Sequence, residues 1–273
     1  MLSLGTVTPL RRVRGAVRWG ARLWEWEERR FDRKLGVDTD GWIELDSLTI
    51  PMGDPAKGIH YGPTPVLVVR WWLRELSVDA RGFTFVDMGS GKGRVPLCAA
   101  LHGFRRSIGV EFAEELHRVA QKNARAARTH GLTVEPILGD AAAFDFPSDP
   151  LVVFFNNPFT ESVMESVLAN LAISYGNRPR PIVVVYQQWH VQPSRTRTRN
   201  IELLEQVPFL TCRKLVPRRF IDRKLLQGYV VQIFESREVW RPEAFPKQSP
   251  RVLRGDARNR QPRGANLNPA RSR

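Results

Sequence analysis

Residues 85–94 read FVDMGSGKGR: an apolar run fit for a buried strand, then glycines at alternate positions 89, 91 and 93. A strand that runs straight into so bare a turn opens a strand–turn–helix unit. From about residue 81 onward strand and helix signals alternate, the mark of an open α/β sheet. FTFVDM is the first strand; RVPLCAALH is the helix after the turn, with Pro96 in its first turn and Gly103 as its stop. RSIGVEF gives a second strand. Residues 113–130 follow as an amphipathic helix, with Leu116, Val119, Ala120, Ala124 and Ala127 on one face and Gly131 closing it. LTVEPIL is a third strand, and Pro136 assigns it to an edge because proline cannot donate to a ladder on both sides. PLVVFF, apolar on both faces, reads as a central parallel strand. A helix over 161–175, a fifth strand PIVVVYQ, a helix near 200–206 and the strands FLTCRKL and GYVVQIFES complete a sheet that ends in an antiparallel hairpin.

The flanks differ from this core. HYGPTPVLVVRWWLRELSVD predicts a loop and a helix, with Thr64 as N-cap, Pro65 as first helical residue, and Trp71 and Trp72 in the core or on a substrate wall. Residues 10–34 predict a basic amphipathic helix, with Val13, Val17, Trp24 and Phe31 on its apolar side, that packs on the core through its tryptophans; a membrane surface or nucleic acid is the other reading. DTDG at 38–41 has only part of a calcium-loop spacing and reads as a turn. The expected organisation is a basic helical extension and loop over 1–60, a ligand-binding domain over 61–236, and a disordered basic tail over 237–273.

The net charge of +14 is terminal. Residues 1–34 carry nine basic side chains against four acidic, and residues 237–273 ten against three, so the span between is close to neutral. That placement argues against a continuous basic groove on the core and leaves nucleic acid to the basic termini. No apolar run approaches the roughly 20 residues that cross a bilayer. The start lacks the apolar segment of a secretory signal; its arginines resemble an organellar transit peptide, although Trp19, Trp24 and Trp26 are unusual there. Cys98 and Cys212 have no metal-ligand or disulfide spacing, and are expected to pack as small apolar residues in a reducing cytoplasm.

Three ligands suit a glycine turn after a strand. A phosphate loop needs a glycine five residues before its Gly-Lys pair and a Ser or Thr after it; Val86 and Gly93 occupy those places. A dinucleotide site needs a third glycine where Arg94 stands, although Glu111 supplies the acid at the end of the next strand, so that reading is weakened and stays open. S-adenosylmethionine has no phosphate; it needs bare backbone, an acid near the turn and a second acid for the ribose hydroxyls. Asp87, Gly89, Gly91, Gly93 and Glu111 supply that set in order.

With those residues in place, VDMGSGKG, IGVEF, GDAAAF and FFNNPF resemble, in order and spacing, the four motifs of the class I (seven-strand) S-adenosylmethionine-dependent methyltransferases, over roughly residues 61–235. The resemblance implies a Rossmann-like, mostly parallel α/β sheet in the order 3-2-1-4-5-7-6, and S-adenosyl-L-methionine as cofactor. It implies that Asp87 orients the turn and holds the methionine amino group, and that Gly89, Ser90, Gly91 and Gly93 give backbone approach. By the same resemblance Glu111 takes the ribose hydroxyls, and Asp140 with Ala141 meets the adenine. Tyr61 and Thr64 lie where relatives cover the cofactor. Capping a turn is the alternative for Asp140, and packing or capping for Tyr61 and Thr64.

The acceptor is read from the ends of the fourth and fifth strands. NNPF resembles the [Asp/Asn/Ser]-Pro-Pro-aromatic motif of enzymes that methylate planar nitrogens, with Asn156 first, Pro158 as second proline and Phe159 as the stacking ring; Asn157 departs from it. A strand-ending turn is the structural alternative. The layout YGPTP, helix, VDMGSGKGR, GVEF resembles the seven-strand protein lysine methyltransferases, and this branch is favoured. It implies a protein substrate, a desolvating pocket from Phe159, Tyr186 and Trp189, and His190 as a base or structural residue. Nucleic-acid or small-molecule N-methylation, an NAD-dependent oxidoreductase and a non-catalytic adenosyl-binding protein are the other classes.

Overall fold

The structure, a computed structural model, describes residues 10–189, 195–215 and 228–236. Its frame is one sheet of seven strands: β1 (Thr84–Met88), β2 (Arg106–Glu111), β3 (Glu135–Leu138), β4 (Leu151–Asn156), β5 (Ile182–Trp189), β6 (Leu210–Leu215) and β7 (Tyr229–Ser236). The order across the sheet is β3-β2-β1-β4-β5-β7-β6. The first five run parallel, and β7 is antiparallel to both β5 and β6. This is the expected Rossmann-like α/β arrangement.

Local chemistry explains the order of the elements. β4 is central and its Leu151–Phe155 run is buried on both faces, as a parallel strand covered on two sides requires. β3 is partly exposed throughout and among the described residues pairs only with β2, so Pro136 sits on an edge. Alternate residues feed two cores. Phe85, Val152, Phe154, Val183 and Val185 face one side, where Trp72 stacks on Phe154 at 4.9 Å. Val86, Met88, Val153, Phe155 and Val184 face the other. Each fully buried side chain of this size contributes about 1.5–3 kcal/mol relative to exposure.

Six helices flank the sheet among the described residues: α1 (Leu10–Leu35), α2 (Val66–Glu75), α3 (Arg94–His102), α4 (Glu114–Arg128), α5 (Glu161–Asn177) and α6 (Arg195–Glu205). α3 is capped by Gly93 and Gly103, both left-handed. α4 has Glu114 and Glu115 in its first turn and Arg125 and Arg128 in its last, the polarity its dipole favours. α2 differs from expectation at its start. Pro65 is extended and takes the N-cap position, its carbonyl accepting from Val68 and Val69 N–H, while Thr64 lies one residue earlier and makes no side-chain cap.

The basic helix α1 packs on α2, but through Phe31 and Leu35, both 2% exposed, with a Glu27–Arg70 ion pair beside them. Of its tryptophans, Trp24 meets Tyr229 edge-on at 5.8 Å, while Trp26 is exposed beneath Arg30. Cys98 is buried, and burial pushes its thiol up to about 12; Cys212, contrary to expectation, is exposed on the outer strand β6. His190 and the 237–273 tail lie outside the described residues. No described helix is long and apolar enough to cross a membrane, and no group of His, Cys, Asp or Glu among the described residues has the arrangement of a metal site.

Candidate active site

The register brings the carboxyl ends of three strands level: Met88 of β1 pairs with Val110 of β2 and with Phe155 of β4. A cavity of about 510 Å³ opens above them, lined by Asp87, Gly89, Ser90, Gly91, Glu111, Asp140, Ala141 and the turn Asn156–Phe159. Such a crevice beyond the strand ends is where open α/β sheets bind ligands. Of the cofactor and acceptor-turn residues named from sequence, Gly93 alone is not on its wall; it has φ +86° and is the N-cap of α3. Tyr186, named for the acceptor pocket, does not line the cavity either, and the Trp189 side chain lies outside those described.

The turn's backbone is committed to the protein. Gly89 and Ser90 N–H both donate to the Val110 carbonyl at 2.9 Å, and Gly93 N–H donates to the Ser90 carbonyl at 2.9 Å. Gly91 N–H donates to Glu111 Oε2 at 2.7 Å, while Glu111 Oε1 accepts from Ala113 N–H at 2.9 Å. Gly91 is left-handed at φ +55°, and a Cβ there would lie 2.2 Å from Tyr61 Cε2. The Tyr61 ring is therefore laid on the bare turn. Its hydroxyl donates to the Thr39 carbonyl at 2.7 Å, and burial raises its titration well above the ordinary tyrosine range.

Two acids sit under the turn. Asp87 is 2% exposed, and burial, then the Glu111 charge, raises its carboxyl well above the usual value. Burial also raises Glu111, opposed by the backbone N–H groups of Ala113 and Gly91. Asp140 caps the short turn after β3, its Oδ1 accepting from Ala142 N–H at 2.9 Å. That cap is the structural role open to it from sequence, and it still borders the cavity.

The turn after β4 is held from two neighbours. Asn156 Oδ1 accepts from Gln187 Nε2 at 3.1 Å. Asn157, left-handed at φ +47°, accepts at Oδ1 from the Tyr186 hydroxyl at 2.8 Å. Asn200 of α6, wholly buried, donates to the Phe159 carbonyl at 3.1 Å. Pro158 lies against Gly89, where an added Cβ would meet it at 2.9 Å. Tyr186 is itself buried beneath the turn and does not line the cavity, so it is a strut and not a wall of the pocket.

Apart from Tyr61 and Thr64, sequence reasoning missed the roof. Residues 42–63 cross the cavity from end to end: Gly53 comes close to Asp140, the Lys57 carbonyl accepts from Thr160 N–H at 3.2 Å, and Tyr61 covers Gly91. Trp42, 61% exposed and stacked on His60 at 3.8 Å, stands on the wall as well. The closely spaced Gly53, Gly58 and Gly62 were the available signal; a Cβ at Gly58 would lie 2.5 Å from Phe112 Cζ. Arg94 was the other omission. The residue that breaks the dinucleotide fingerprint is 2% exposed and borders the cavity.

These residues fit an adenosyl ligand with an amino-acid end. The wall has a buried acid at Asp87 beside the glycine turn and a second acid, Glu111, at the end of β2, with Asp140 further along it. They fit a pyrophosphate poorly, because that group needs free turn N–H donors and here they are already donated, one of them to a carboxylate.

No protein-family model and no curated protein matches the chain. Among solved structures it is similar to an RNA methyltransferase from Salinibacter ruber in complex with S-adenosyl-L-homocysteine, at 23% identity, covering 66% of this chain and 97% of that one, with a TM-score of 0.42. It is similar to magnesium protoporphyrin IX methyltransferase from Synechocystis with bound S-adenosylmethionine, at 17% identity over 63% of this chain and 78% of that one, TM-score 0.44. It is also similar to the YcgJ protein from Bacillus subtilis, at 12% identity over 62% and 98%, TM-score 0.47. At these scores the likenesses say nothing of what this chain binds. The assignment to a Rossmann-like seven-strand fold rests on the strand order and the direction of β7.

Proposed function

We propose that this chain is an S-adenosyl-L-methionine-dependent methyltransferase whose acceptor is a nitrogen of a protein side chain, lysine first. One observation carries the cofactor reading. The Gly89, Ser90, Gly91 and Gly93 N–H groups of the turn are spent on protein acceptors, with buried acids at Asp87 and Glu111 beside them. That disfavours a ligand that must be gripped by its phosphates and suits one that carries an amino group and ribose hydroxyls. The resemblance of the four sequence motifs agrees with it.

When bound, the cofactor supplies a methyl group on a sulfonium for in-line displacement. The chain's part is to position and to exclude water. Asp87 holds the amino group, Glu111 accepts from the ribose hydroxyls with the lone pairs its backbone donors leave, and Asp140 with Ala141 borders the adenine. Tyr61 closes the turn. Asn156, Asn157, Pro158 and Phe159 position the acceptor.

Two features favour lysine. The roof bridges the cleft from Asp140 to Thr160, a cover that suits a slender acceptor group such as a lysine side chain. Apolar surroundings at Phe159, which is 9% exposed, help an ammonium lose its proton before it attacks. In domain terms we propose residues 61–236 as the catalytic domain and 1–60 as an extension whose last third roofs its site, with 237–273 as a separate basic tail.

The test is transfer of radiolabelled methyl from S-adenosylmethionine to proteins and nucleic acids of matched extracts, followed by hydrolysis of labelled protein. Label in methyl-lysine supports the proposal. Label in nucleic acid alone overturns the acceptor, and transfer to neither fraction overturns the macromolecular substrate.

A further inference from the structure

Arg94 opens α3 beneath the glycine turn, and three segments hold its guanidinium. Nε donates to Thr39 Oγ1 at 2.8 Å, and Nη1 lies 3.3 Å from Glu28 Oε1 and 3.5 Å from the Thr64 carbonyl. Nη2 is buried and makes no hydrogen bond; Asp40, 3.8 Å away, is largely exposed. Thr39 is the hub of this arrangement. It is wholly buried, its hydroxyl donates to Asp32 Oδ1 at 2.6 Å, and its carbonyl takes the Tyr61 hydroxyl. The 38–41 turn thus ties α1 to the cofactor loop, and Lys92 and Asn123 reinforce it through Asp38.

The charges of the cavity wall are unequal. Its acids are Asp54, Asp87, Glu111 and Asp140; its basic members are Lys57, His60 and Arg94. Lys57 and His60 are exposed in the roof, which leaves Arg94 as the buried cation among the described wall residues. Glu28 pairs with Nη1 alone, which leaves Nη2 with only the exposed Asp40 near it among the described residues. The amino-acid end of S-adenosylmethionine carries an amino group, for which Asp87 is placed, and a carboxylate, which needs an opposite charge in so dry a site.

We propose that Arg94, fixed by Glu28, Thr39 and Asp40, is the counter-charge for the carboxylate of the cofactor's amino-acid end. The proposal rests on the adenosyl reading of the cavity. It makes the 38–41 turn and helix α1 part of the cofactor site.

The experiment is calorimetric titration of the full chain with S-adenosylmethionine and with decarboxylated S-adenosylmethionine, in wild type, Arg94→Met and Thr39→Val. Wild type is expected to prefer the carboxylate-bearing ligand by about 30-fold or more, the scale of a desolvated charge pair. Arg94→Met is expected to lose that preference, leaving the decarboxylated ligand within about threefold of its wild-type affinity. Thr39→Val keeps the guanidinium but removes its Nε acceptor, and should weaken the carboxylate ligand selectively. It decides the matter should melting show that Arg94→Met does not fold. Equal weakening of both ligands, or no wild-type preference, overturns the proposal. Failure of wild type to bind either ligand overturns the adenosyl reading itself.

Discussion

At Gly91 the backbone is left-handed and the Tyr61 ring fills the space a Cβ would need. Both demands must fail together in Gly91→Ala, since the ring is 9% exposed and tied at its hydroxyl to Thr39. Left-handed strain for a residue with a Cβ is about 1–2 kcal/mol, and the displaced ring adds to it. We expect Gly91→Ala to weaken S-adenosylhomocysteine by about 30-fold or more, read by calorimetry, because the turn and its cover shift as one. Tyr61→Phe removes only the hydroxyl bond to Thr39, and leaving that buried carbonyl without its donor should cost about 1–3 kcal/mol, read as a lowered melting temperature. The glycines, Asp87 and Glu111 were legible in the sequence because they follow one another within a single strand–turn–helix–strand unit. Arg94 was legible as a charge and not as a buried one. Its Nε acceptor lies 55 residues away in sequence, and a guanidinium's burial is set by tertiary partners that no local pattern encodes.

At the scale of elements, strands and helices were read where periodicity is local. β4, α4 and the hairpin of β6 and β7 stand where the pattern put them. The start of α2 moved by one residue, because Pro65 turns extended and uses its carbonyl as the first acceptor. The roof was illegible because residues 36–63 have little regular structure; an isolated bridge between Ile43 and Tyr61 and two short 3-10 turns are its regular features. Helix α1 was legible as amphipathic, but what it serves was not. Phe31 and Leu35 anchor it, and Phe31→Ala leaves a buried void costing about 3–5 kcal/mol. For a domain of this size that is a fall of about 10 °C in melting temperature. Since α1 also carries Asp32 and Glu28, Phe31→Ala should weaken cofactor binding as well, although Phe31 does not line the cavity. An unchanged affinity at a lowered melting temperature would detach α1 from the site.

For the molecule as a whole, the buried acids link protonation to ligand. Asp87 and Glu111 titrate above their ordinary values of 3.8 and 4.5 in the folded chain. Between those values and the raised ones the folded state holds protons that the unfolded chain has released, so the contribution of these two groups to ligand-free stability falls as pH rises through that window. A cofactor whose amino group pairs with Asp87 favours the carboxylate. Binding should therefore release protons in that window and tighten as pH rises, which calorimetry in two buffers of different ionisation enthalpy measures. The central claim, that the crevice above β1, β2 and β4 is an adenosyl site, is tested most directly by titrating the full chain with S-adenosylmethionine, S-adenosylhomocysteine and NAD, beside a Gly91→Arg control. The account predicts micromolar binding of the two adenosyl ligands, lost in the control, and none of NAD. Binding of NAD with neither adenosyl ligand would contradict it.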